Sequence, residues 1–136
     1  QLGSGVSWGD IDGDGDSDVY IGGASGFSGR IYVNNGSGSF SNNFQLVFNI
    51  DAKHEDMGSV FIDPDGDGDL DLFVVSGGVE CEPGDEILQD RLYLNDGYGK
   101  FSRAVSSLLP KMNDSGSIVA AADINKDGNL ELFIGG

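Results

Sequence analysis

The sequence predicts an all-β fold made of four-stranded antiparallel sheets, of the kind that form the blades of a β-propeller. Three observations predict it: an aspartate-rich motif occurs three times, short apolar segments flank each copy, and turn residues follow at matching positions. Glycine is frequent, with 23 residues among 136, and proline is rare, with 3. That composition suits many short strands joined by tight turns.

The repeated motif sets the period of the chain. It reads DIDGDGDSD from residue 10, DPDGDGDLD from residue 63 and DINKDGNLE from residue 123, so that the copies start 53 and 60 residues apart. Periods of this size are typical of propellers and other repeat arrays. We therefore expect a single repeat region over 1–136, with blade repeats at roughly 1–52 and 53–112 and a partial repeat at 113–136.

Each full repeat contains about four candidate strands. Short segments such as VSW and VYI precede and follow the motif, and RIYV or RLYL then leads into a turn rich in asparagine, aspartate and glycine, which is a hairpin signal. We expect NFQLVFNI at 43–50 to form the fourth strand of the first repeat. The segment SRAVSSLLPKM at 102–112 has room for a short helix.

The second repeat is longer than the first because of about eight extra residues around VECEPGDEILQD, at 79–90. Insertions of this kind occur in loops, and loops carry specificity. The segment contains the only cysteine, Cys81, which excludes an intrachain disulfide. We expect Cys81 to be a loop residue without a special role.

The number of repeats bears on assembly. Two and a half blades cannot close a propeller, which usually has about four to eight blades. We therefore expect this chain to be a fragment of a larger propeller, or a unit of which several copies assemble. Strand edges left unpaired at the cut ends favour self-association in the second case.

The net charge of −16 excludes some partner classes. Nucleic-acid binding needs a basic surface that replaces phosphate counterions, so this charge argues against it, and it argues equally against an anionic membrane surface. No apolar segment approaches the roughly 18 residues of a membrane-spanning helix, so we expect no membrane insertion.

Carboxylates at the density of the motif stay ionised together only beside a cation. Calcium takes about six to eight oxygen ligands in a flexible geometry. Numbering each loop from its first residue, we expect side-chain ligands at positions 1, 3, 5 and 9, a backbone carbonyl at position 7, and a bend at the position-6 glycine. The ligand residues are then Asp10, Asp12, Asp14, Asp16 and Asp18 in the first loop, Asp63, Asp65, Asp67, Asp69 and Asp71 in the second, and Asp123, Asn125, Asp127, Asn129 and Glu131 in the third.

Other readings of these loops fit less well. An EF-hand needs a bidentate glutamate at position 12, where this chain has Ile21, Val74 and Ile134, and β-type residues follow instead of a helix. Magnesium prefers to keep several of its waters. We expect up to three Ca²⁺ ions, with the weakest binding in the third loop because it has three carboxylate ligands against four.

The motifs resemble a known family. DIDGDGDSD and DPDGDGDLD between short strands, followed by RLYLNDGYGKF, resemble FG-GAP/VCBS repeats, the calcium-binding propeller repeats also found in the heads of integrin α-chains. The stretch LQDRLYLNDGYGKF, with GSIVAAADINKDGNLELFIGG after it, is similar to bacterial secreted VCBS proteins of the ASPIC/UnbV type. The third loop departs most from the pattern.

The resemblance implies an extracellular, secreted or cell-surface protein, whose calcium-stabilised blades serve a structural, adhesive or ligand-binding role. Its partner would be a protein or a glycan at the cell surface. Two alternatives stay open: a lectin-like, carbohydrate-binding propeller, and a subunit of a self-assembling ring or filament.

Some residues bear on these alternatives. The aromatic residues that could stack on a sugar are Trp8, Tyr20, Tyr32, Tyr93 and Tyr98. We expect Trp8 and Tyr32 to be core residues, and Tyr98, at a hairpin tip, to be the best exposed candidate. The only histidine, His54, stands beside two carboxylates, which would suit a general base, but we expect it to be a surface residue. No catalytic motif is present, and we expect no enzymatic activity.

Overall fold

The computed structural model describes residues 5–78, 86–105, 116, 118–129 and 131–135. Within these residues the chain forms two four-stranded sheets and one two-stranded sheet. Blade one contains β1 (Val6–Gly9), β2 (Asp18–Ile21), β3 (Arg30–Asn34) and β4 (Phe40–Asn43). Blade two contains β5 (Glu55–Ile62), β6 (Asp71–Gly77), β7 (Arg91–Asn95) and β8 (Phe101–Arg103), and the third sheet contains β9 (Ile118–Ala122) and β10 (Glu131–Gly135).

The sheets have the topology expected of propeller blades. The strand order is β1-β2-β3-β4 in blade one and β5-β6-β7-β8 in blade two, and every pairing is antiparallel. The first strands lie next to one another, since β1 contacts β5 and β5 contacts β9. The all-β prediction with four-stranded antiparallel blades is confirmed.

The predicted fourth strand was misplaced. The strand that pairs with β3 is Phe40–Asn43, and Leu46–Ile50 forms a short helix, α1. The register explains the change: Asn43 already lies opposite Ile31, close to the start of β3, so little of β3 remains for a longer partner. The helix instead places the Phe48 ring between blades.

Helices contribute little to the part of the chain that the structure describes. Besides α1 there is a 3₁₀ helix at Glu86–Leu88, and no described helix is long and apolar enough to cross a membrane. Cys81, most of the inserted segment of blade two and most of the helix expected within 102–112 lie outside the described residues.

The core lies between the sheets, in two apolar layers. The first layer joins blade one to blade two and consists of buried Ile11, Tyr20, Ile31, Phe48, Leu72, Val74, Tyr93 and Phe101. The second joins blade two to the third sheet and consists of Ile62, Phe73, Val75 and Leu92, with Val119, Ala121 and Leu132 packed against them. The sheet of blade two is therefore covered on both faces, which agrees with the continuous apolar run LFVV in β6.

A buried polar network crosses the first layer. The Tyr20 hydroxyl of blade one donates to Asp56 of blade two at 2.7 Å, and Arg91 forms an ion pair with the same carboxylate. Arg91 also donates to the Tyr93 hydroxyl, which donates to Asp51 at 2.8 Å. Because buried charges are costly unless paired, this network holds the two blades in one relative position.

Candidate metal-binding loops

The three aspartate-rich motifs form equivalent loops. Each connects the first two strands of its sheet: 10–17 between β1 and β2, 63–70 between β5 and β6, and the described residues 123–129 between β9 and β10. Position 1 follows the first strand, and position 9 is the first residue of the second strand. The repeat therefore places the three loops at corresponding ends of their sheets.

The position-1 carboxylate organises each loop. In loop one, Asp10 accepts the backbone N–H of Gly13 at 2.8 Å and of Gly15 at 2.9 Å. Asp63 and Asp123 accept backbone N–H groups of their own loops in the same way. These hydrogen bonds wrap the backbone around one carboxylate and so turn the following side chains toward a common centre.

The turn depends on left-handed backbone. At position 6, φ is +91° in Gly15 and +92° in Gly68 and Gly128. Glycine also holds position 4 in the first two loops, but in loop three that position is Lys126, with φ +60°. The left-handed region costs a residue with a side chain roughly 1–2 kcal/mol, so loop three carries strain that the other two loops avoid.

Three carboxylates converge in each loop. One oxygen from each lies within 4.8 Å of the others in the following groups: Asp10, Asp12 and Asp18; Asp63, Asp65 and Asp67; Asp123, Asp127 and Glu131. The structure thus brings together nine of the fifteen predicted ligand residues in three groups, one per loop. An all-oxygen donor set of this kind suits a hard cation such as calcium.

The carboxylates raise one another's pKa. Burial raises the pKa of Asp12, with further repulsion from Asp18 and Asp14. A hydrogen bond from the Asp67 N–H lowers the pKa of Asp65, but desolvation and the neighbouring carboxylates of Asp67 and Asp63 outweigh it, and the net pKa is raised. A bound cation would remove this repulsion.

Position 9 anchors the loop, and it is buried in loops one and two. Both oxygens of Asp18 accept backbone hydrogen bonds, Oδ2 from Ile11 at position 2 (3.0 Å) and Oδ1 from Asn34 of β3 (2.8 Å). Loop three repeats the first contact, because Ile124 at position 2 donates its N–H to Glu131 Oε2 at 2.9 Å. In loops one and three the position-2 N–H therefore satisfies one position-9 oxygen.

Loop two lacks this contact. Its position 2 is Pro64, which has no N–H. Asp71 Oδ1 accepts the Asn95 N–H at 2.7 Å, but Oδ2 is buried and has no hydrogen-bond partner among the described residues. Burial, with repulsion from the other loop-two carboxylates, raises the pKa of Asp71 to about 6. A buried oxygen without a donor is the feature that a bound cation would satisfy.

The position-7 side chains point toward the neighbouring hairpin. A Cβ on Gly36, in the β3–β4 turn, would come within 2.5 Å of Asp16 Oδ2, and a Cβ on Gly97, in the β7–β8 turn, would come within 2.9 Å of both Asp69 oxygens. These carboxylates are outside the three convergent groups. The prediction that position 7 offers its backbone carbonyl stays a prediction.

Sequence reasoning missed a pair of supporting asparagines. The Asn95 amide donates to the carbonyl of Ile11 at 2.8 Å and to that of Leu70 at 3.0 Å, and so it contacts loop one and loop two together. Asn34 donates to Ser17 in the equivalent place of blade one. The signal was present in the sequence, since an asparagine ends both RIYVN and RLYLN.

The structure corrects two placements. His54, expected on the surface, is 2% exposed, and the nearby Asp51 and Asp56 of the connection between the blades are buried as well. Trp8, expected in the core, is 60% exposed because it lies on the face of blade one that no other described sheet covers. Tyr20 and Tyr93 are buried, so neither is available to a sugar, and Tyr32 is half-buried. Tyr98 is 83% exposed, as predicted.

A family model described as an FG-GAP-like repeat matches residues 10–74 and, again, residues 63–134. The two matches begin at the first and second loops and together cover most of the chain. No curated protein matches it.

Proposed function

Because this chain belongs to the family of FG-GAP-like repeat proteins, we propose that it is a calcium-binding propeller module that acts outside the cell. Its blades provide a rigid scaffold, and its loops and exposed faces contact a protein or glycan partner. The calcium ions have a structural role in this proposal, and no step of a reaction is assigned to the chain.

The observation that carries the proposal is the buried Asp71 Oδ2, which has no donor among the described residues. Acidic clusters on a surface are common without an ion, but a carboxylate oxygen that is both buried and unpartnered costs about 1–3 kcal/mol or more if nothing satisfies it. Its neighbours are the convergent carboxylates of loop two. These oxygen ligands therefore favour a loop two that holds a calcium ion over a loop two without one.

The loop residues would have two roles, to bind the ion and to connect it to the strands. Positions 1, 3, 5 and 9 would hold the ion, and a bound calcium would supply positive charge that neutralises the loop. Asp18 and Asp71 connect the ion sites to β3 and β7 through the Asn34 and Asn95 N–H groups. Ion binding would therefore stiffen the first three strands of each full blade.

An extracellular location agrees with this use of calcium. Extracellular modules bind calcium with dissociation constants of about 10⁻⁴–10⁻³ M, and such weak sites fill only where calcium is abundant. FG-GAP-like repeats are typical of extracellular proteins. Secretion, adhesion and the narrower resemblance to ASPIC/UnbV-type proteins stay proposals.

Isothermal titration of the calcium-free protein tests the proposal. Position 3 is the best site to change, because Asp12 and Asp65 are less buried than position 9 and support less of the loop backbone than position 1. We expect Asp12→Ala and Asp65→Ala each to weaken or remove one calcium site, while Glu86→Ala, which changes an exposed carboxylate outside the loops, leaves all of them. We expect loop three to bind most weakly. No binding at millimolar calcium, or an equal effect of Glu86→Ala, would contradict the proposal.

One observation favours glycan binding as the partner contact. A cavity of about 350 Å³ lies between the start of α1 and the β7–β8 hairpin, lined by Phe44, Leu46, Tyr98 and Lys100 among others. Tyr98 and Phe44 are exposed aromatic rings there, and such rings suit sugar stacking. We propose a glycan array with wild type and Tyr98→Ala. A signal lost in the variant supports a lectin role, and the absence of any signal favours a protein partner.

We also propose that this segment has no catalytic activity. His54 is 2% exposed, which argues against this one residue as a general base, because a general base must reach its substrate. Hydrolase and lyase assays with and without EDTA test this. Calcium-dependent turnover that is lost in His54→Ala would refute it.

A further inference from the structure

The Asn95 side chain contacts loop one and loop two at the same time. It is the last residue of β7 and is 7% exposed. Its amide nitrogen donates one hydrogen bond to the carbonyl of Ile11 at 2.8 Å and one to the carbonyl of Leu70 at 3.0 Å. Ile11 is position 2 of loop one and Leu70 is position 8 of loop two. An amide group has two N–H donors, so Asn95 uses one for each loop.

The orientation of this amide is fixed from its other end. Oδ1 of Asn95 accepts the N–H of Gly97 at 3.1 Å and the N–H of Gly99 at 3.0 Å, both in the β7–β8 turn. The backbone N–H of Asn95 donates to Asp71 Oδ1, the position-9 carboxylate of loop two, at 2.7 Å. Rotation of the side chain would break several hydrogen bonds of a buried group, which is costly. Asn95 is therefore a stiff connection from Asp71 to the backbone of loop one.

The contact on loop one reaches the backbone that holds its carboxylates. Ile11 lies between Asp10 and Asp12, and its N–H donates to Asp18 at 3.0 Å. These three carboxylates are the convergent group of loop one. The Ile11 side chain is 1% exposed and belongs to the first core layer, so its backbone has little freedom to move independently. A change in the position of the Ile11 carbonyl therefore affects all three carboxylates.

The equivalent asparagine of blade one provides a comparison. Oδ1 of Asn34 accepts the Gly36 N–H at 3.0 Å, and its amide donates to the carbonyl of Ser17, position 8 of loop one, at 3.1 Å. The amide of Asn34 thus repeats the contact of Asn95 with the loop of its own blade. Within the described part of the chain it has no contact with a second loop. The connection between loop one and loop two is therefore specific to Asn95.

We propose that Asn95 couples the two sites, so that calcium bound in loop two raises the affinity of loop one for calcium, and the reverse. This rests on the proposed calcium function and adds the order in which the sites fill. An ion that fixes the backbone of one loop also fixes the amide that both loops share. The second ion then has less ordering to impose, which gives positive coupling. By linkage, the coupling factor is the same in both directions.

Charge acts in the opposite direction. An ion in one loop neutralises part of the negative field that attracts a cation to the other loop. Salt screens this effect, because the Debye length falls to about 3 Å at about 1 M ionic strength, whereas interactions of buried groups are screened much less. The positive coupling through Asn95 is therefore expected to be largest at high salt.

Calorimetric titration with calcium in about 1 M KCl measures the coupling in a protein whose third loop is silenced by Asp127→Ala. In that background Asp65→Ala leaves loop one and Asp12→Ala leaves loop two. The coupling factor is the two-site binding constant divided by the product of the two single-site constants, and we expect it to be at least about five. Asn95→Ala should abolish the coupling. Asn34→Ala, which removes the matching amide that contacts loop one alone, should leave the coupling factor unchanged.

Hydrogen exchange gives a readout that does not depend on the calorimetric constants. In Asp65→Ala, calcium can fill loop one but not loop two. We expect calcium nevertheless to slow amide exchange at 63–70, because the shared amide passes the ordering of loop one to the backbone of loop two. Adding Asn95→Ala should remove this slowing, whereas adding Asn34→Ala should not.

The outcomes separate this proposal from the calcium function on which it rests. Calcium binding with a coupling factor of about one or less, a factor that persists in Asn95→Ala, or a factor lost equally in Asn34→Ala would overturn the coupling and leave the calcium function intact. No calcium binding in any loop would contradict the calcium function and the coupling together. Should Asn95→Ala fail to unfold cooperatively, Asn95→Asp tests the same contact, because it keeps the Oδ1 acceptor and removes both N–H donors.

Discussion

Replacing Pro64 with alanine changes one hydrogen bond in loop two. In loops one and three the position-2 N–H donates to the position-9 carboxylate, at 3.0 Å from Ile11 and 2.9 Å from Ile124. Pro64 cannot donate, and Asp71 Oδ2 is left buried without a partner among the described residues. Alanine at 64 restores the N–H with the smallest side chain, and we expect it to donate to Asp71.

The magnitude follows from two opposing terms. A hydrogen bond to a charged group contributes about 1.5–3 kcal/mol. Loss of proline costs about 0.4–1 kcal/mol because the unfolded chain gains freedom. We therefore expect Pro64→Ala to raise the free energy of unfolding by about 1–2 kcal/mol in the calcium-free protein. With calcium bound, the ion already satisfies Asp71, so the hydrogen-bond term should vanish and only the proline term should remain, a loss of about 0.4–1 kcal/mol. The proline term acts on the unfolded chain and cancels between the calcium-free and calcium-bound folded states. Calcium should therefore bind loop two more weakly by the hydrogen-bond term alone, roughly 10- to 150-fold.

Urea unfolding in EDTA and in saturating calcium measures both effects. Ile124→Pro is the reverse control, because it removes the equivalent donor in loop three at an exposed residue. It should lower the calcium-free stability by a smaller amount, since Glu131 is only half-buried. The reasoning is refuted if Pro64→Ala leaves the calcium-free stability unchanged, or if it stabilises the protein equally with and without calcium.

Three other predictions test separate parts of the fold. Burial raises the pKa of Asp90 from 3.8 to about 6, so Asp90 binds a proton more readily in the folded than in the unfolded state. The free energy of unfolding should therefore rise as the pH falls from about 6 to 4. Asp90→Asn should reduce this rise and increase the melting temperature at pH 7. Lys126→Gly should raise the free energy of unfolding in calcium by about 0.5–1 kcal/mol, measured in urea, because it relieves the left-handed backbone of loop three. Asp56→Ala should lower that free energy by about 3 kcal/mol, because it leaves the buried Arg91 guanidinium without its ion pair. Arg91 also donates to the Ser76 hydroxyl at 3.1 Å and to the Tyr93 hydroxyl at 2.8 Å, and a loss under about 1 kcal/mol would mean that these two hydrogen bonds suffice to satisfy it.

The blades were predictable because the motif, the strands and the turns repeat together, so that each copy supported the reading of the others. The fourth strand of blade one was not predictable, because an apolar run as short as 46–50 fits a strand or a helix equally well. Trp8 was misplaced for a different reason: its residue type and strand pattern suit a core, but its burial depends on whether another sheet covers that face. The sequence contains the residues of a face but not the neighbour that covers it.

The candidate site was predictable position by position, but its differences between loops were not. The loops look alike in their carboxylates, and the distinction between them lies in position 2, where a proline removes one backbone donor. Asn95 adds a second distinction, because its amide contacts the carbonyls of Ile11 and Leu70, in two different loops. Its N–H also binds Asp71. A change in loop two therefore reaches loop one through a single side chain, and because residues in one hydrogen-bond network are energetically coupled, ions in the first two loops should not bind independently.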